Sequence, residues 1–440
     1  MPQELFTDLY ELTMAQAYHA EHMDEVAAFE LTFRQMPPNR NYIVVNGLTD
    51  VLDFLTDFEF SSGDVEYLRG RGEFSSDFLN RLEHLRFAGD VYAMPEGTLV
   101  FPNEPLVQVI APILEAQLME TYILNQVHFQ SLAATKAARV VTAAKGRTVV
   151  DFGSRRAHGT DAALKVARAT YLAGGSGTSN VLAGKLYGIP VFGTMAHSYI
   201  QAHEDEFAAF EAFASLYPET TLLVDTYDTL EGVRKVIELS HKLGERFRVR
   251  AVRLDSGDLA NLAVGTRKML DEAGLRDVRI FASSGLDEYK VQALVESGAP
   301  IDTFGVGTKL AVMADAPELD MAYKLVEYAG TGRLKLSSRK VLYPGRKQVF
   351  RQVENGRLMR DVIGRFDEQP PGEPLLQPLI EHGQPAVRID LNESRRRLHR
   401  EMERLPELMR GLKQAPVPYA VAFSERLQAD FNDLSRHLMH

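Results

Sequence analysis

The chain has 440 residues, and 60 acidic against 49 basic side chains leave a formal charge of −11. That balance excludes a basic field over the surface, and with it nucleic acid as the main partner, while leaving room for a local cation cluster that binds phosphate. A content of 45% hydrophobic and 25% charged residues excludes disorder and collagen, and the absence of cysteine excludes disulfides, thiol chemistry and cysteine-based metal sites.

The N-terminus, MPQELFTDLYELTM, has no basic segment ahead of an apolar run, so no secretory signal is expected. No stretch reaches about 18 consecutive apolar residues, so no membrane span is expected either. A soluble, cytoplasmic protein is the resulting expectation. At about 150 residues per domain, two or three domains follow.

In chain order, TDLYELTMAQAYHA predicts a helix, with Thr7 or Asp8 as its cap and Leu9, Leu12, Ala15 and Tyr18 on one face. Residues 26–33 predict a strand, and residues 89–111 predict short strands punctuated by Pro95, Gly97, Pro102 and Pro105. Residues 113–145 predict one long helix that Gly146 ends.

From 147 to 308 the rhythm changes. RTVVDFG, PVFGTM, TTLLVDTY, RVRAVRLDS, VRIFASSG and DTFGVGT read as strands, with helices over 160–172, 203–215, 229–243, 259–273 and 287–297 between them. Such alternation predicts parallel strands with helical crossovers. Six strands, with a further short one around 174–180, fall short of the eight of a regular barrel, so an irregular, incomplete β/α barrel is expected. A doubly wound open sheet is the structural alternative, but no G-x-G-x-x-G follows the first strand.

Residues 321–366 predict hairpin strands turning at Gly330, Gly332, Pro344-Gly345 and Asn355-Gly356. Residues 368–385 read as a proline-rich loop, and 386–440 as a charged, mostly helical tail. The expected divisions are 1–146, 147–320 and 321–440.

Barrel chemistry sits where strands end and loops converge. Here those ends read DFGSRRAHG, FGTMAHS, VDTYD, RLDSGD, ASSG and FGVGT, each polar, small or charged directly after an apolar run. Arg155 and Arg156 follow the first strand; one of them would clamp phosphate, the alternative being a surface ion pair. His158 and His197 also lie at strand ends. RLDSGD sets Arg253, Asp255 and Asp258 within six residues, which suits an anionic substrate carrying hydroxyls or a metal, or else an internal Arg–Asp pair. ASSG and GVGT offer backbone N–H groups to a phosphate at the last two strands. Lys309 follows its strand rather than projecting from it, which makes it a poor Schiff-base lysine, and no Walker A loop is present.

TDLYELTMAQAY, DFGSRRAHG, SNVLAGKLYGIPVFGTMAHS, VRLDSGDL and GVGTKL followed by YKLVEY, in that order, resemble nicotinate phosphoribosyltransferases over residues 5–350. The resemblance implies a type II phosphoribosyltransferase: an α/β protein with an irregular barrel and an N-terminal α/β domain completed by C-terminal strands, assembled as a homodimer. It implies that nicotinate and phosphoribosyl pyrophosphate yield nicotinate mononucleotide and pyrophosphate, with magnesium, and with ATP hydrolysis coupled through a phosphohistidine. The type I pattern, two acids before a Thr/Gly-rich phosphate loop, is absent.

Carried over by motif, His197 would be phosphorylated; Thr194 and Arg253 would face nicotinate; and Tyr10, from the dimer partner, would close over the ring. Gly307 and Thr308 would hold the ribose 5-phosphate, while Arg155 and Asp255 would contact phosphoribosyl pyrophosphate or its magnesium. His158, Asn180, Asp225, Ser284, Gly285 and Gly305 complete the expected substrate-binding set. A carboxylate, Asp225 or Glu204, is expected to orient the His197 ring. The related nicotinamide enzyme carries an aspartate in a GTDT string that favours the amide. GTSN at 177–180 has Ser179 near that place and no acid, which implies a site for the carboxylate. The competing readings are a nicotinamide or quinolinate phosphoribosyltransferase of the same fold, and a non-catalytic barrel that binds a phosphorylated metabolite.

Overall fold

The computed structural model describes residues 4–336 and 342–439. The chain divides into two compact units, residues 1–132 with 318–440, and residues 133–317.

The first unit is built on a seven-stranded sheet drawn from both parts of the chain. Val26–Phe33 pairs antiparallel with Pro105–Pro112 on one side and with Met321–Tyr328 on the other. C-terminal strands thus complete the N-terminal sheet, as expected. The unit's interior includes buried ion pairs, among them Lys347 Nζ to Glu30 Oε2 at 3.0 Å and Arg351 Nη2 to Asp361 Oδ2 at 2.6 Å. Residues 368–385 differ from the expected loop. Gln377–Glu381 pairs antiparallel with Asp90–Ala93, and the register shifts between Pro378 and Ile380. Proline is tolerated at such an irregularity because the ladder is already interrupted there. The charged tail is helical over Leu391–Arg404 and Glu425–Met439, yet it also contributes a strand, Ala420–Phe423, parallel to Arg357–Arg365.

The N-terminal helix spans Leu9–Ala20, with Asp8 at the N-cap position but making no side-chain cap. The Asp8 carboxylate instead accepts from Thr121 Oγ1 at 2.7 Å. Glu11 is fully buried. It accepts from Thr121 Oγ1 (2.6 Å), from Thr121 N (3.2 Å) and from Thr7. Burial pushes the Glu11 carboxyl up to about 7; the Thr121 and Thr7 hydroxyls pull it down, and Glu120 and Asp8 add to the rise. A raised carboxyl binds its proton more tightly folded than unfolded. Its contribution to stability is therefore complete below the unfolded value, near 4.5, and is lost as pH rises through about 7. Glu11→Gln is expected to flatten the fall in Tm between pH 5 and pH 8, checked by thermal denaturation at both pH values; an unaltered slope would contradict it.

The expected single helix over 113–145 is two, Ile113–Leu118 and Glu120–Ala143. The second carries the chain into the other unit.

The second unit holds six parallel strands: β1 Thr148–Asp151, β2 Gly177–Thr178, β3 Thr221–Leu223, β4 Ala251–Leu254, β5 Arg279–Ala282 and β6 Thr303–Val306. Their order, β2-β1-β6-β5-β4-β3, leaves two open edges, so the barrel is incomplete. Val149, Val150, Leu222, Val252, Leu254, Ile280, Phe304 and Val306 are all essentially buried. At roughly 1.5–3 kcal/mol for each such side chain, this apolar seam holds the unit together. The crossover helices Thr160–Leu172, Thr229–Leu243, Leu259–Glu272 and Glu288–Glu296 fall within a residue or so of expectation.

PVFGTM does not form its expected strand. Only Val191 bridges to Thr178. Thr178 exchanges two backbone hydrogen bonds with Pro190 and Phe192, and the chain then leaves the sheet at Gly193. The short element expected near 174–180 takes its place as β2.

Among the described residues, no helix is long and apolar enough to cross a membrane.

Candidate active site

The strand ends of the second unit surround a cavity of about 410 Å³. Phe152, Arg155, Ser179, Thr194, His197, Arg253 and Asp255 line it.

Arg253 comes from β4, and its side chain is only 12% exposed. Its Nε donates to Ser283 Oγ (2.9 Å) and its Nη1 to Thr194 Oγ1 (3.2 Å). Nη2 pairs with Asp255 Oδ1 at 2.9 Å, and the guanidinium lies over the Phe152 ring, 5.4 Å from its centroid. Three partners and an aromatic face thus hold a planar fork in one orientation.

Asp255 also accepts from Ser283 Oγ. Burial raises its carboxyl, but the Ser283 hydrogen bond, the charge and hydrogen bond of Arg253, and His197 together outweigh it, so Asp255 lies below the usual carboxylate range. The internal Arg–Asp pair and the pocket-facing pair that the sequence offered as alternatives are one arrangement.

His197 opens the short helix His197–Gln201. Its Nδ1 lies 3.1 Å from Thr226 Oγ1, and its Nε2 lies 3.7 Å from Asp255 Oδ2. Neither carboxylate expected to orient the ring does so. Asp225 accepts instead from Asp255 N (3.0 Å) and Ser256 Oγ (2.5 Å), bracing the turn after β4, and Glu204 is exposed. The neighbouring Thr226, just beyond the end of β3 at Leu223, takes that place.

Phe152 packs on Phe281, with centroids 5.4 Å apart. Gly305 makes room beneath the pair: a Cβ there would come within 2.8 Å of both rings. Gly305 therefore shapes the cavity floor from behind. Asp151 braces the same loop, accepting from Thr178 Oγ1 and Gly153 N, both at 2.7 Å. Burial pushes the Asp151 carboxyl up, those two bonds pulling partly the other way.

The remaining expected residues lie outside the cavity lining. Asn180 and Asp258 cap helices, accepting from Ala183 N (3.1 Å) and Asn261 N (3.2 Å). His158, Ser284, Gly285 and Thr308 are exposed, and Gly307 is half-buried at the start of the short helix Thr308–Ala311. Tyr10 belongs to the first unit and is 45% exposed. Burial, then Glu120 and Glu11, push its phenol up.

Phe152, Ser283, Thr226 and Asp151 were not singled out from the sequence. Phe152 and Asp151 stood within the quoted DFG string, and Ser283 within ASSG, so position at a strand end was the available signal. Thr226 had no signal beyond following Asp225.

Comparison with known proteins places this arrangement. Residues 5–128 match the nicotinate phosphoribosyltransferase (NAPRTase) N-terminal domain, and residues 148–336 match the nicotinate phosphoribosyltransferase (NAPRTase) family. A nicotinate phosphoribosyltransferase of Mycobacterium tuberculosis (strain H37Rv) is 59% identical over 437 residues, covering 98% of this chain and 94% of its own. That of Bacillus subtilis is 45% identical over 375 residues, covering 83% and 76%. The crystal structure of human nicotinic acid phosphoribosyltransferase superposes with a TM-score of 0.87 at 32% identity, covering 97% of this chain and 99% of that one.

Proposed function

Since the chain belongs to the nicotinate phosphoribosyltransferase family, we propose that it joins nicotinate to the ribose of phosphoribosyl pyrophosphate, releasing nicotinate mononucleotide and pyrophosphate, in NAD salvage. One observation carries the choice of substrate. A pre-oriented guanidinium and an aromatic face share a cavity whose position 179 is a serine rather than an acid.

In this reading the Arg253 fork takes the nicotinate carboxylate, with Thr194 beside it, and the pyridine lies against Phe152. The pyridine nitrogen carries no proton, so positioning replaces general-base catalysis. Nitrogen attacks ribose C1 as the C1–O bond to pyrophosphate breaks. Arg155 and the loops at Ser284–Gly285 and Gly307–Thr308 hold the phosphates, with His158 and Asn180 at the margin.

The donor set suits magnesium. Asp255 is held ionised, and Asp225 Oδ1 is buried without a hydrogen-bond partner. Magnesium takes one or two carboxylates with waters and substrate phosphates, so two such donors are enough. Bound there, it would neutralise charge gathering on the departing pyrophosphate.

ATP is a co-substrate. Nδ1 of His197 is engaged by Thr226, leaving Nε2 to accept the γ-phosphoryl group as ADP departs; water later releases phosphate. Exposed apolar side chains at Val181, Leu182, Leu186, Val191 and Phe192 support a homodimer. In that dimer Tyr10 reaches the partner's active site.

The test is competition. With phosphoribosyl pyrophosphate, magnesium and equal nicotinate and nicotinamide, nicotinate is expected to be consumed at least about 100-fold faster. Preference for nicotinamide, or turnover of quinolinate, would assign a sister activity. Thermal stabilisation by phosphoribosyl pyrophosphate without turnover of any of the three would favour a binding-only barrel.

A further inference from the structure

We propose that Lys136, Arg139, Glu288 and Asp315 form a buried positioning device that fixes the two small-residue loops at the barrel mouth for the phosphates of phosphoribosyl pyrophosphate; this rests on the reading of those loops given above. Lys136 is 1% exposed and Glu288 is fully buried. The Lys136 ammonium donates to Glu288 Oε2 and to Asp315 Oδ1, the latter at 2.6 Å. Arg139 Nε donates to Glu288 Oε1 at 3.1 Å, and its Nη2 to Tyr289 Oη at 3.0 Å.

Stability alone does not account for this cluster. Buried charges lose hydration that their mutual attraction barely restores, and apolar residues of similar volume hold a core as well. Position in the chain supplies the reason. Glu288 opens the helix Glu288–Glu296, three residues after Gly285. Asp315 follows the short helix Thr308–Ala311, which begins directly after Gly307. Lys136 thus ties together the segments that follow both loops. At its other end the first loop is anchored too, because Ser283 is bonded to Arg253 and Asp255.

Between those anchors Ser284 sits at φ +97° and Gly285 at φ +55°. A serine at such a φ is strained and persists only where its surroundings over-determine it. Anchors at both ends provide that. Ser284 and Gly285 remain exposed, as a loop that receives phosphate must be. Without the cluster the loop would relax and lose its preorganisation.

The experiment uses the full chain with Lys136→Met combined with Glu288→Gln, which removes both charges of the central pair. The double variant is expected to stay folded, with a lower Tm because Arg139 and Asp315 each lose a charged partner. Its KM for phosphoribosyl pyrophosphate should rise about tenfold or more, with kcat within about threefold and KM for nicotinate within about twofold. A KM for phosphoribosyl pyrophosphate that stays within about twofold of the parent's would overturn the positioning role. Should the double variant fold poorly, Asp315→Asn is the second probe, expected to raise the same KM about threefold; no change there overturns the proposal as well. A parent chain that shows no saturable dependence on phosphoribosyl pyrophosphate would instead remove the loop reading itself.

Discussion

Arg253→Lys is expected to lower kcat/KM for nicotinate by about 10²–10³-fold, with a much smaller loss for nicotinamide. The native guanidinium bonds Ser283 and Thr194, pairs with Asp255 and lies over Phe152. Lysine offers one compact ammonium in place of a planar fork, so it cannot keep these contacts while also presenting two parallel donors to a carboxylate. The neutral amide has no charge for the fork to match, which is why the two substrates should separate. Steady-state kinetics on both measures the effect. Equal losses for the two would mean that Arg253 only holds the strand ends together.

His197→Ala is expected to abolish phosphoryl transfer from γ-labelled ATP to the protein and to remove the stimulation of turnover by ATP. Synthesis without ATP should continue, because Arg253 and Phe152 are untouched. Thr226→Val keeps the imidazole and removes its Nδ1 partner, so labelling should slow by about tenfold rather than vanish, as loss of one hydrogen bond suggests. Full labelling of His197→Ala would place the phosphoryl group on another residue.

Much of the second unit was legible in the sequence because its strands are buried between crossover helices and read as short apolar runs. Polar ends after those runs marked the cavity, and Arg155, Ser179, Thr194, His197, Arg253 and Asp255 all line it. What failed depended on contacts between distant segments. PVFGTM looks like a strand, but beyond its hydrogen bonds with Thr178 it turns away at Gly193 to carry Thr194 to the site. Proline-rich 368–385 looks like a loop, yet Asp90–Ala93 offers a free edge that captures Gln377–Glu381.

Partners within the site were harder to read than members of it. Asp258 was a natural candidate for charge chemistry, but a backbone amide at a helix start claims it, and Asp225 gives one of its two oxygens, Oδ2, to the turn after β4. A hydroxyl, Thr226, took the role expected of a carboxylate because the chain's path after β3 decides which side chain meets the ring. Glycine at 305 likewise read as a phosphate ligand, whereas two phenylalanine rings occupy the space its missing side chain leaves.

The most direct test of the central claim is product formation by the purified chain. It would be incubated with nicotinate, phosphoribosyl pyrophosphate and magnesium, with and without ATP, and resolved by chromatography. Nicotinate mononucleotide that rises strongly with ATP, accompanied by matching ADP, is the predicted result. Nicotinate mononucleotide formed at the same rate without ATP would leave the transferase and contradict the role given to His197. No nicotinate mononucleotide under either condition would contradict the account as a whole.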